Sequence, residues 1–251
     1  SLLQNSIDSS IIGKGNYRHF MQKEIYEQPE TISHSLSTMY SSEGILSSEL
    51  SWITSNIPNS ITILAAGTSN YAGMIAKYWI EEMSQIPVHV ESASEYRYRS
   101  PYQDPKGLAI IISQSGESID TLMAMRLASE AGMKTLAIVN SEGSTIDRES
   151  DFSIYLRAGA EIAVASTKAF TSQLIVLLCL SIAISEKKNS FNELQDLKNT
   201  LFKIPGAIAK SLSTENDILE VIQELSKAKS CLYLGRGPLY PLALEGALKL
   251  K

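Results

Sequence analysis

The stretch that most limits how this chain can fold is residues 108–121, LAIIISQSGESIDT. Five apolar residues, Leu108, Ala109, Ile110, Ile111 and Ile112, stop abruptly at Ser113-Gln114-Ser115-Gly116. Beyond them Ile119, Leu122, Met123 and Leu127 recur at offsets of three, four and eight, the spacing of one helical face. A run that apolar and β-branched reads as a strand buried on both faces, as in a parallel sheet. The loop leaving such a strand emerges at its carboxyl end, where open α/β sheets bind ligands. It then opens a helix whose first N–H groups and positive dipole end favour an anion. Ser113, Ser115 and Ser118 contribute hydroxyls, Gln114 an amide, and Gly116 lets the backbone turn closely. The pattern predicts a phosphate cradle built without Lys or Arg. A plain turn with Ser115 as a helix cap uses the same residue types, and both readings stay open at this point.

A similar exit precedes it. Residues 60–66 (SITILAA) predict the first strand, and GTSNY at 67–71 turns into a helix. Ala72, Ile75, Ala76, Trp79, Ile80 and Met83 share one face of that helix. Thr68 and Ser69 are helix caps on the plainer view, but two such turns after neighbouring strands point to one shared ligand. Further strands are expected at 88–91, at 134–139 (KTLAIV) and, as an edge, at 151–156. The alternation from 60 to 156 predicts an α/β fold: a doubly wound, Rossmann-like parallel sheet flanked by helices. The Tyr96-Arg97-Tyr98-Arg99 alternation reads as a packed surface loop or dimer contact rather than a base-stacking platform.

Outside the sheet the expected organisation is a linker at 1–15 and a helical lead-in at 16–59. Its first helix, 17–28, should stop at Pro29, where a second begins, with breaks near Gly44 and Pro58. The first domain then spans 60–189, and 171–185 reads as a helix buried nearly all round. The longest apolar segment, 174–184, is too short to cross a bilayer, and neither a signal peptide nor a membrane partner is expected. Connecting helices fill 190–228. The first has capping-box spacing from Ser190 to Glu193 and should end at Pro205-Gly206, and Ile218, Val221, Ile222 and Leu225 pattern another. Residues 232–240 resemble 64–71, with a strand from Cys231, the turn Gly235-Arg236-Gly237 and then a helix, so 229–251 is expected to be the start of a second, truncated copy of the domain.

A net charge of −5 with scattered Lys and Arg excludes a basic stripe, so no nucleic acid is expected. Cys179 and Cys231 read as buried free thiols. Neither is at ligand spacing to His19, His34 or His89, so no metal and no cofactor are expected. Two cysteines in 251 residues fit a reducing cytoplasm.

GTSNYAG from Gly67, SQSGES from Ser113 and AVASTKAFTSQL from Ala163 resemble the SIS (sugar isomerase) domain family. HFMQKEIYEQP from His19 and GRGPLYPLALEGALKLK from Gly235 narrow the resemblance to the isomerase half of the glutamine–fructose-6-phosphate aminotransferases. That resemblance implies that fructose 6-phosphate and glucosamine 6-phosphate are the ligands. It implies a glutaminase domain elsewhere in the full-length protein as the source of ammonia, and a homodimer. It also implies that Ser113, Gln114, Ser115 and Ser118 hold the phosphate, and that Thr68 and Ser69 contact sugar or phosphate. Val164 and Ala165 would approach sugar hydroxyls through their backbone, and Lys249 would lie by the open-chain sugar. Ser118 stands where the family usually has Thr, which preserves the hydroxyl. The family's proton-shuttling Glu would follow Lys251, so these 251 residues are expected to be inactive alone. The alternatives are a sugar-phosphate-sensing SIS regulator and another SIS enzyme such as a fructosamine-phosphate deglycase.

Overall fold

The computed structural model describes residues 13–41, 44–45 and 47–251, so most of the expected 1–15 linker lies outside the described residues. Helix α1 (Phe20–Met39) leads through the short hairpin β1 (Tyr40–Ser41) and β2 (Gly44–Ile45) to α2 (Ser48–Ser55). The sheet and its crossovers follow as β3 (Ile61–Ala65), α3 (Gly67–Ser84), β4 (Val88–Ser92), α4 (Ala93–Tyr96) and β5 (Leu108–Ser113). They continue as α5 (Ile119–Glu130), β6 (Lys134–Val139), α6 (Thr145–Glu149) and β7 (Phe152–Tyr155). Five helices close the chain: α7 (Lys168–Lys188), α8 (Leu194–Leu201), α9 (Ile204–Leu212), α10 (Glu215–Leu225) and α11 (Leu239–Leu250).

The five long strands form one parallel sheet in the order β4-β3-β5-β6-β7. The chain steps from β3 outward to β4, then returns past β3 to lay β5 on its other side. Right-handed crossovers running in opposite directions put their helices on opposite faces. Helix α3 therefore joins α1, α2 and α7 on one face, and α4, α5 and α6 cover the other. The side chains obey the two-residue period of a strand. Ile61, Ile63, Leu108, Ile110, Ile112, Leu136 and Ile138 pack into the first layer, and Leu64, Ala109, Ile111, Ala137 and Val139 into the second. Both faces are covered, so all six residues of β5 are buried, which explains its unbroken apolar run.

Several expectations are corrected outside the sheet. Pro29 does not end a helix, because α1 runs through it. Proline cannot donate to the carbonyl four residues back, and that acceptor, Ile25 O, takes a bond from Gln28 Nε2 at 2.8 Å instead. The Ser190 capping box does not form: Ser190 Oγ donates to Met83 O at 2.6 Å, and Glu193 stands at the N-cap without a side-chain bond. Pro205 and Gly206 lie in the first turn of α9, where proline's missing N–H costs nothing.

Helix α7 is longer than its apolar core. At 21 residues it is long and apolar enough to cross a bilayer, but most of it is buried against α1, α3 and the sheet. Residues 231–234 form no strand. Cys231 is exposed, as are Leu232 and Leu234, because no described strand lies beside them to complete a sheet.

Candidate functional site

The strand order reverses between β3 and β5, and their carboxyl ends open the crevice where such sheets take ligands. Both exits were singled out by their sequence, and they are built alike. Gly67 at the end of β3 and Gly116 after β5 have φ of +55° and +67°, a left-handed conformation that glycine adopts without strain. Each turn feeds a helix, α3 and α5, whose leading N–H groups have no intrahelical partner.

After β5 the loop folds on its own hydroxyls. Ser113 Oγ accepts from Gly116 N at 3.1 Å, and Ser115 Oγ accepts from Glu117 N at 3.2 Å. Each hydroxyl keeps its own hydrogen free to donate. Ser118 is the N-cap of α5, and its Oγ accepts from Thr121 Oγ1 at 3.1 Å. Ser115 is not a helix cap. Ser113 is buried, Gln114 and Ser118 are half-buried and Ser115 is exposed, so the corner opens to solvent. The α6 segment braces it from behind: Ile146 N donates to Gly116 O at 3.0 Å and Thr145 N to the Glu117 carboxylate at 2.8 Å. That backbone bond holds the Glu117 carboxyl below the usual carboxylate range.

At the β3 exit a polar cluster joins residues far apart in the chain. Lys249 Nζ on α11 donates to Thr68 Oγ1 at 3.0 Å and pairs with Glu245 Oε1 at 2.8 Å. Thr68 Oγ1 in turn lies 3.3 Å from Glu245 Oε1. Glu245 is buried, and its second oxygen has no partner. Ser69 Oγ accepts from Gln173 Nε2 of α7 at 2.9 Å.

The structure thus groups Ser113, Ser115 and Ser118 at one exit and Thr68, Ser69 and Lys249 at the next. Val164 and Ala165 lie on the loop between β7 and α7, whose polar bonds run to Glu24, Glu161 and Asn140, and Asn140 N in turn donates to Gln114 O at 3.1 Å. Sequence reasoning missed Glu245 and Gln173. Glu245 was legible as the residue four before Lys249, on one helical face. Gln173 was legible as a lone amide in an apolar helix.

The family model for the SIS domain matches residues 57–183, which hold the whole sheet and both exits. The chain belongs to the SIS domain family. The glutamine–fructose-6-phosphate aminotransferase (isomerizing) of Zymomonas mobilis is 47% identical to this SIS chain over 245 residues, 96% of this chain and 40% of that protein. Its counterpart in Bradyrhizobium diazoefficiens is 46% identical over 254 residues, 99% of this chain and 42% of that protein. The chain therefore spans about two fifths of the length of the curated relatives it matches. The solved C-terminal domain of glucosamine-fructose-6-phosphate aminotransferase from Francisella tularensis superimposes with a TM-score of 0.90 at 38% identity, over 95% of this chain and 68% of that one. Within the SIS family, the chain groups with the isomerase region of these aminotransferases.

Proposed function

We propose that this chain binds fructose 6-phosphate and takes part in its conversion to glucosamine 6-phosphate, with ammonia supplied by a glutaminase domain of the same full-length protein. Ser113, Gln114, Ser115 and Ser118 hold the phosphate, and Thr68 and Ser69 hold the neighbouring part of the substrate. Val164 and Ala165 meet the sugar hydroxyls through their backbone. Isomerisation moves a proton between adjacent carbons through an enediol-like state, and an ammonium beside the carbonyl oxygen lowers its energy. Lys249 fits that role: an ammonium has three donors, and Glu245 and Thr68 occupy two of them. The enzyme works in the cytoplasm as a homodimer, without a cofactor.

One observation carries this reading: Lys249 is brought from 181 residues away to within 3.0 Å of the first strand exit. Calorimetric titration tests the phosphate cradle. Replacing Ser113 and Ser115 together by Ala should weaken fructose 6-phosphate binding tenfold or more, roughly the loss of one hydrogen bond to a charged group. Unchanged affinity would remove the assignment.

A further inference from the structure

We propose that Glu24 is a positioning residue for the loop carrying Val164 and Ala165, and that it governs recognition of the sugar rather than of its phosphate. The proposal rests on reading 113–118 and 164–165 as parts of one sugar-phosphate site. Glu24 lies on α1 and is 2% exposed. Its Oε1 accepts from Ile162 N at 2.6 Å and from Ala163 N at 3.1 Å, across 138 and 139 residues of chain. Two main-chain donors on one carboxylate oxygen are charge-assisted bonds, stronger than neutral ones.

The far side of the same loop is pinned in the same way. Glu161 Oε1 accepts from Thr167 N at 2.8 Å and from Ala169 N at 3.2 Å. Lys168, its side chain 5% exposed, pairs with Glu27 of α1 at 2.7 Å. Val164 stands between the two clamps, fully exposed. The arrangement joins two motifs that the sequence presents separately, QKEIYEQ on α1 and AVASTKAF on the loop.

Burying a carboxylate is costly, and Glu24 Oε2 is left buried with no partner, so stability alone is a poor reason for an acid here. Fixing a backbone is a better one. A contact made by main-chain atoms cannot be tuned by exchanging its own side chain. Only the position of the loop sets it, and small displacements of positioning groups are expensive.

The test uses the full-length protein carrying this chain, as wild type, Glu24→Ala and Glu24→Gln. Hydrogen exchange should run at least tenfold faster at the amides of 162 and 163 in Glu24→Ala, with the β5 amides unchanged. The Kd for fructose 6-phosphate should rise about tenfold, equivalent to about 1.4 kcal/mol, while that for inorganic phosphate stays the same. Glu24→Gln keeps an acceptor oxygen and should recover most of both effects. Wild-type affinity for the sugar phosphate in Glu24→Ala would overturn the proposal, and so would an equal loss for both ligands. A wild type that binds neither ligand would defeat the proposed function instead. Unaccelerated exchange at 162 and 163 would still, by itself, overturn the role of Glu24.

Discussion

Gly116 shows how tightly one residue can specify a corner. Its φ is +67°, and a Cβ built there would lie 2.0 Å from Ser144 Oγ and 2.5 Å from Ser144 Cβ. The second distance matters more, since a hydroxyl can rotate away but a Cβ moves only with its backbone. Left-handed backbone at a non-glycine residue costs roughly 1–2 kcal/mol before any clash. Gly116→Ala is therefore expected to destabilise the protein by about 2 kcal/mol or more and to weaken sugar-phosphate binding. Urea unfolding and calorimetry read the two effects. Pairing it with Ser144→Gly should recover the clash but not the backbone cost. A Gly116→Ala protein with wild-type stability and affinity would mean that the turn is not tightly held.

Among the elements, α1 and the β6–β7 pair show what local bonding can hold. Helix α1 tolerates Pro29 because neighbouring side chains serve its backbone: Gln28 serves Ile25 O, and Ser33 Oγ donates to Pro29 O at 2.9 Å. At the sheet edge, Asp151 ties the start of β7 to the start of β6. Its carboxylate accepts from Lys134 Nζ at 2.6 Å and from both Thr135 N and Thr135 Oγ1 at 2.9 Å. Burial pushes the Asp151 carboxyl upward, but the Lys134 and Thr135 bonds outweigh it and leave the group below its ordinary value. A carboxyl depressed on folding stabilises the fold above its unfolded value, about 3.9, and that contribution is lost as pH falls through the folded value. Asp151→Asn should thus cost about 1 kcal/mol at pH 7, with the deficit shrinking below about pH 3.9. A deficit that stays constant with pH in chemical unfolding would assign the loss to something other than the charge.

Taken as one molecule, the protein places its chemistry by topology. The reversal of strand order opens the crevice, the two-sided helix cover buries the strands that flank it, and α11 folds back onto Thr68 from the other end of the chain. The same packing separates the two thiols. Cys179 is buried in α7, and burial pushes its thiol up to about 12, while Cys231 is exposed. A thiol-specific reagent at pH 8 should modify Cys231 in the native chain and reach Cys179 only after unfolding. Modification of both in the native state would show that α7 is not sealed in the core.

Much of the sheet and the hydroxyl-bearing turns of the candidate site were legible in the 251 letters, because those features are local. An apolar run that ends in Ser-Gln-Ser-Gly states both a two-sided strand and the turn that follows it. The period of 67–84 states a helix with one buried face. The remainder depended on partners that no local pattern names. Pro29 looked like a terminus until Gln28 was seen to serve the freed carbonyl. Residues 231–234 looked like a strand, but a parallel strand exists only beside another strand. Nothing local marks Glu24, whose carboxylate meets amides 138 and 139 residues away. Sequence by itself determined the elements and the exits of β3 and β5, since backbone sterics and side-chain period act over a few residues. Tertiary structure alone decided which distant carboxylates, amides and ammonium meet there, because burial and hydrogen bonding are settled only when the layers close.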